Sequence, residues 1–539
     1  MKKWGPLVIL AAAQFLMVLD QAVMNVSISQ LVTDLDTSVT AIQAVITLYS
    51  LVMAMFMITG GKVGDLVGRR RAFVVGLVIY GCGSALTAVA PSVAVLAIGW
   101  SVLEGLGAAL VLPALAALIA GNYVDRDRSV AYAVIGGVAG AGIAVGPILG
   151  GWATTELSWR VVFVGEVVVV AVILAAIRLL KEAPGPEKRP SLDGVGAVLS
   201  ALGLGLIVVG VLQASSWGWI LPKNSPITIL GFSLSPFLVA GGAFILWLFV
   251  RWQRRRVEDG NDPLVHLEIM KIKPVRAGLQ TMLAQNLILM GIFFTTPLYL
   301  QIVLGFNALE TGIRMLPVSI GMLGASVCGS WLATKFSIRS IARVGLVTIV
   351  VAVLVLLASI EPDLAGVPFA VSMALLGIGM GLIASQLGNV VQSSVDASGR
   401  SEAGGLQYTA QQLGSAIGVA LIGAIVLSGL ASNFITQITE DPDVPAAVTE
   451  QATISVSEGV SFVAADDVRS TSLALGIPAD VTDQVVTNYE EAQLTALKIG
   501  LLASVMIALT ALFFTKGLPS EKPEALPVGD PDPDPAATG

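Results

Sequence analysis

Apolar stretches of about 20 residues recur from one end of this chain to the other, and each is long enough to cross a bilayer as a helix. Composition agrees. Of 539 residues, 55% are hydrophobic and only 12% charged, where a soluble globular protein carries about 25% charged residues. Glycine is abundant, with 57 residues, which suits close contact between helices in lipid. These numbers exclude most soluble folds and point to an all-α polytopic membrane protein.

The hydropathy pattern predicts fourteen spans, at 6–30, 41–61, 72–90, 94–119, 130–153, 161–180, 193–213, 227–250, 276–303, 312–334, 341–359, 366–388, 404–428 and 494–515. Spans seven and eight are the least standard pair, and without them twelve remain. The first run could pass for a signal peptide. It continues through Asp20 and Asn25 without an A-x-A-like site, so it reads as an uncleaved first span. With the N-terminus cytoplasmic, all thirty basic residues except Arg160, Lys223, Arg314, Arg469 and Lys498 fall on the cytoplasmic side. One missed span would invert every later loop and destroy that skew. The expectation is a multi-pass protein of the cell membrane with both termini cytoplasmic.

Segment 429–493 is the one long external connection. It holds eleven carboxylates and a single Arg, and its second half, from Ala479 to Lys498, reads as an amphipathic helix entering the last span. From Gly517 the tail is rich in Pro and Asp, a disordered composition. The expected organisation is a six-helix half over 1–180, a linker with two auxiliary helices over 181–275, a second six-helix half over 276–516, and the tail 517–539. The only cysteines, Cys82 and Cys328, lie in apolar runs and read as small buried side chains. With no C-x-x-C, no Cys/His cluster and a single histidine, His266, no metal site or cofactor is expected. No G-x-x-x-x-G-K-[ST] sequence occurs, so ATP-driven transport within the chain has no support.

A carboxylate inside a span is costly and therefore a functional candidate. Three qualify: Asp20 in span 1, Glu104 near the middle of span 4, and Glu166 about two turns inside span 6. Gln21 and Asn25, beside Asp20 and four residues apart, share a helix face. Burial disfavours the charged form of a carboxylate, which suits proton exchange; one facing a wet cavity can also attract a cation. Glu166 is close enough in sequence to Arg160 to pair with it. In span 5, Gly142, Gly146 and Gly150 recur at four-residue spacing beside Pro147 and Gly151. One face there has almost no side chain, so another helix can approach closely, and the proline permits a bend.

The loop after span 2 carries Gly61, Asp65, Gly68, Arg69 and Arg70 in the pattern G-x-x-x-D-x-x-G-R-[RK]. This resembles the signature of the major facilitator superfamily. A degenerate copy at 330–339 has Thr334 in place of the Asp. Span 5 is similar to the superfamily's antiporter motif at Gly142, Gly146, Pro147, Gly150 and Gly151. Span 1 resembles a further motif through Leu19, Asp20 and Asn25. With fourteen spans, the chain resembles the 14-spanner drug:proton antiporter family. That resemblance implies two six-helix halves with two additional helices between them, and a proton-coupled exporter working by alternating access. Asp20 and Glu104 would then exchange protons or bind substrate cations, and the Asp65 loop would stabilise one conformer.

The chain departs from the pattern in span 4, where Ser101 and Glu104 replace an Arg and a Gln, in span 13, where Gln411 stands for an Arg, and in span 6, where Glu166 and Val168 replace N-x-P. Two lost Arg and two gained Glu make the interior more acidic. The expected cargo is an amphipathic small molecule, cationic or neutral, moved by a monomer with protons and the bilayer as its other partners and no nucleic acid. Export of an endogenous lipid or envelope component is the alternative. A membrane-embedded enzyme or a sensor is the alternative of another class, with little support from a His-free, Cys-poor interior.

Overall fold

The computed structural model describes residues 3–123, 125–182, 191–362, 364, 366–395, 400–446, 448–450 and 462–521. Its long helices follow the hydropathy pattern in order: α1 Gly5–Val26, α2 Val39–Val67, α3 Arg69–Ala88, α4 Val93–Ile119, α5 Asp125–Glu156, α6 Trp159–Ala176, α7 Gly194–Leu212 and α8 Leu234–Glu258. After these come α9 Lys273–Val303, α10 Ala308–Leu332, α11 Ile338–Ser359, α12 Gly366–Ser393, α13 Arg400–Glu440 and α14 Ala479–Phe514. Thirteen helices in these positions are long and apolar enough to cross a membrane. The 18-residue α6 occupies the place of the remaining expected span. The described residues form no β-strand beyond one isolated bridge, Ile229 to Phe232.

Two contacts join the first six helices to the last six. Helix α2 packs along α13, and α5 packs along α10. Small side chains make this possible, since a Cβ on Gly312 would overlap the backbone at Pro147, and one on Gly151 would overlap the backbone of Ala308 and Leu309. At the face opposite the termini, Gln301 Nε2 donates to the Val26 carbonyl at 2.8 Å and the Leu309 N–H to Thr155 Oγ1 at 3.2 Å. Gln301 sits in a π-helical turn, Leu298–Val303, that ends α9.

The auxiliary helices are not equivalent. Helix α7 lies against both α2 and α13, with Leu204 and Val208 clustered on Leu51, Met55, Leu413 and Ala416. It therefore bridges the two halves, while α8 packs on α7 and is largely exposed. At the face carrying the termini, buried Gln253 of α8 accepts from the Leu264 N–H and donates to Asp193.

Three sequence expectations need correction. Cys82 and Cys328 are unpaired but exposed, on the outward surfaces of α3 and α10. The segment expected as a loop from 429 is largely helical, because α13 continues to Glu440, a short helix spans Ala465–Ala474, and α14 starts at Ala479. The tail does not detach at Gly517, because Leu518 is buried and its carbonyl accepts from Arg339 Nε. Residues 522–539 lie outside the described residues, as do 451–461 of the external segment.

The helical protrusion is held together by polar and aromatic contacts. Asp441 accepts from Asn488 at 2.6 Å and Gln484 at 2.8 Å, and Phe434 meets Tyr489 edge-on. Asn488, then the Asp443 backbone and Gln484, hold the Asp441 carboxylate below its usual range. A depressed folded-state value stabilises above the usual pKa of about 4 and is lost as pH falls through the folded value. Hydrogen exchange across 479–490 should therefore rise on acidification below about pH 4. Asp441→Ala should raise it already at neutral pH, and unchanged exchange in the variant would refute this anchoring role.

Candidate functional site

Five helices meet around the three carboxylates singled out by the sequence. Asp20 comes from α1, Glu104 from α4 and Glu166 from α6. All three are buried, at 0%, 0% and 1% exposure. One oxygen from each lies within 4.8 Å of the others. The sequence marked these residues separately; the fold makes them one cluster.

Local structure explains the convergence. Residues Ala97–Glu104 of α4 form a π-helical segment, which rotates the following side chains relative to an α-helix. Trp100 and Glu104 both project from it. Gly83 on α3 leaves room for Glu104, since a Cβ there would stand 2.6 Å from Glu104 Cγ. Trp100 Nε1 donates to Asp20 Oδ1 at 2.7 Å. Its ring stacks on Tyr49 of α2, centroids 4.5 Å apart and planes 3° from parallel. Thr87 Oγ1 donates to Glu104 Oε1 at 3.3 Å, and Ser84 Oγ and the Tyr80 hydroxyl donate to Glu166 Oε2 at 3.0 and 3.4 Å.

Every donor is neutral, and no ion pair involves the trio among the described residues. Arg160 pairs instead with Asp34 at 3.4 Å and the Ala90 carbonyl at 2.9 Å, over the Trp159 ring. The expected Glu166–Arg160 pair is therefore absent, because Asp34 at the end of the neighbouring hairpin takes the guanidinium. Asp20 Oδ2, Glu104 Oε2 and Glu166 Oε1 are buried without a hydrogen-bond partner. Two unit charges 4.8 Å apart repel by roughly 3 kcal/mol at an effective dielectric near 20. Full ionisation of the trio is thus opposed, and the arrangement can share protons or accept a cation.

Neighbouring residues on α1 face elsewhere. Gln21 Nε2 reaches Gln412 Oε1 of α13 at 3.4 Å, and Asn25 Nδ2 donates to the Gln21 carbonyl at 2.7 Å. One helix therefore carries the acid cluster on one face and a contact to the opposite half on another. The Gly142, Gly146 and Gly150 stripe of α5 packs on the same helix, at Val18, Ala22 and Val23. Pro147 and Gly151 face α10 instead, so the stripe and the inter-half contact use different faces of α5. In the α2–α3 loop, Asp65 pairs with Arg69 at 3.1 Å. Gly68 has φ +100°, which a side chain would strain. Glu182 accepts from the Arg70 N–H at 3.0 Å, and Gly61 lies beside Pro113.

Sequence reasoning missed the neutral donors Trp100, Tyr80, Ser84 and Thr87. The available signal was polar residues recurring on α3 at 80, 84 and 87, a helical spacing on one face. It also missed Gln301 as a link between halves.

A family model described as Major Facilitator Superfamily matches residues 10–419. The chain is 30% identical over 469 residues to a probable actinorhodin transporter of Streptomyces coelicolor, covering 85% of this chain and 75% of that protein. It is 27% identical over 512 residues to the multidrug efflux pump LfrA of Mycolicibacterium smegmatis, covering 95% of each. A bacterial homolog of the human lysosomal transporter Spinster, solved inward-facing and unoccupied, superposes with a TM-score of 0.61 at 14% identity, covering 96% and 98%. That last likeness concerns the fold alone.

The stripe gives a direct test. Gly146→Val should destabilise by about 1–3 kcal/mol through overpacking against Ala22. Gly324→Val, where a Cβ meets nothing within 4 Å, should not. Thermal unfolding of the two variants in the same detergent compares them, and equal midpoints would refute a tight α1–α5 contact.

Proposed function

The chain belongs to the Major Facilitator Superfamily, and on that premise we propose that it is a proton-coupled exporter of amphipathic, cationic or neutral compounds, working by alternating access in the manner of the 14-spanner antiporters. The observation that carries this reading is the cluster of Asp20, Glu104 and Glu166, three buried carboxylates within 4.8 Å surrounded by neutral donors. Such a group holds protons in preference to charge, and losing one creates a charge that the apolar bundle must accommodate. The names of similar proteins, which include exporters and resistance proteins for antibiotics, support the efflux direction.

Coupling to motion runs through α1. Its Asp20 face senses the proton count, its Gly-packed face is keyed to α5, and its Gln21 face touches α13. A change at Asp20 alters the Trp100 bond and with it the seat of α1 on α4. Helix α5 transmits that change to α10, where the halves meet. In this scheme the termini face the cytoplasm, the Asp65–Arg69 loop steadies the N-terminal half there, and residues 1–180 and 276–516 move as the two halves.

The decisive measurement is transport in proteoliposomes under an imposed pH gradient, with a panel of lipophilic cations and neutral amphiphiles. Asp20→Asn should reduce gradient-driven flux by about 100-fold, and Glu104→Gln and Glu166→Gln by about tenfold each, the usual scale for losing a proton-transfer group. Gradient-driven flux unchanged in Asp20→Asn would sink the coupling assignment. If a sodium gradient alone drove flux, the cluster would be a cation site rather than a proton store. If a lipid moved and no cation did, an endogenous lipid would replace the proposed cargo.

A further inference from the structure

Among the basic residues at the face opposite the termini, Arg160 and Arg469 have carboxylate partners, Asp34 and Asp483. Arg314, near the start of α10, makes no ion pair with any described residue. Its natural partner is Glu310, four residues earlier on the same helix. That carboxylate is committed elsewhere: Glu310 Oε2 accepts from the Asn307 N–H at 3.0 Å, closing a capping box with Asn307 Oδ1. Arg314 is fixed instead by a bond from Nη1 to the Glu310 carbonyl at 3.3 Å and by stacking over the Phe306 ring at 3.7 Å. Its remaining N–H groups stay available.

The guanidinium lines a cavity of about 540 Å³ between the first turns of α10 and α12. The rest of the lining is apolar, including Ile313, Pro317, Leu364 and Phe369. The cavity lies on the outer flank of the bundle, where Ile313 and Val367 are 53% and 76% exposed on their helices' outward surfaces. A cation at the membrane–water boundary, above an apolar pocket open to the lipid side, complements an anionic headgroup with its acyl chain below.

We propose that the Arg314 cavity binds one anionic phospholipid from the adjacent leaflet, its phosphate on the guanidinium and its chain along Ile313, Pro317 and Phe369. The acid cluster is separate from this site, so the proposal stands apart from the coupling scheme.

Native mass spectrometry of the full chain, titrated with phosphatidylglycerol or phosphatidylcholine, tests it. Phosphatidylglycerol should show one saturable site. Arg314→Gln should weaken that site about tenfold or more, the scale of a lost charge-assisted bond, while Arg314→Lys retains part of it. Ala370→Trp fills the cavity and leaves the charge in place, and it should abolish binding even if Arg314→Gln fails to fold. Equal binding of phosphatidylcholine, or wild-type affinity in Arg314→Gln or Ala370→Trp, would overturn the proposal. Displacement of phosphatidylglycerol by millimolar inorganic phosphate would also overturn it, assigning the site to a soluble anion.

Discussion

Keeping three carboxylic groups side by side in a low-dielectric bundle, with no basic side chain to neutralise them, constrains everything packed around them. Their oxygens must be met by neutral donors or hold protons, because an unpaired charge at that depth costs several kcal/mol. The tryptophan of the π-helical turn, the hydroxyls along α3 and the glycine that admits Glu104 all serve that requirement. The cluster belongs wholly to the first six helices. Its influence on the other half must pass through helices that touch both environments.

Helix α1 meets that description, and so does the lateral arrangement of the bundle. Small residues let α1 seat on α5 and α5 on α10, so rigid helix faces connect the acid cluster to the junction of the halves. On another side, α2 runs along α13, with Gln43 Nε2 bonded to the Val419 carbonyl at 2.9 Å. Helix α7 covers that second junction. The auxiliary pair is thus asymmetric in role: one helix closes a seam between halves, and the other mainly faces outward.

Much of this was legible in the sequence, because lipid imposes simple rules. Span positions follow from length and apolarity, and α1 to α14 appear in the expected order. Asp20, Glu104 and Glu166 stood out because a charge in an apolar run is conspicuous. Their convergence was not legible. A helix that is apolar all round does not reveal which side faces lipid and which faces its neighbours. The same blindness hid the exposure of Cys82 and Cys328, since lipid and protein interior select similar residues. The π-helical turn in α4 has no local signature, and it aims both Trp100 and Glu104. The Glu166–Arg160 expectation failed because sequence proximity says nothing of Asp34, which reaches Arg160 from a distant hairpin. The external segment was misjudged because its polar composition matches a loop, while its helices are stabilised by contacts with one another.

Helix α13 is 41 residues long, and at 1.5 Å per residue it measures about 60 Å, roughly twice the thickness of a hydrocarbon core. The protruding half is clamped to the start of α14 through Asp441 and Phe434, so it moves as a rigid extension of the bundle. That makes it a lever. A tilt of about 10° within the membrane would sweep its tip through roughly 5 Å, since about 30 Å of helix lies beyond the hydrocarbon core. Small rearrangements near the buried acids would therefore be magnified at the far surface of the protein.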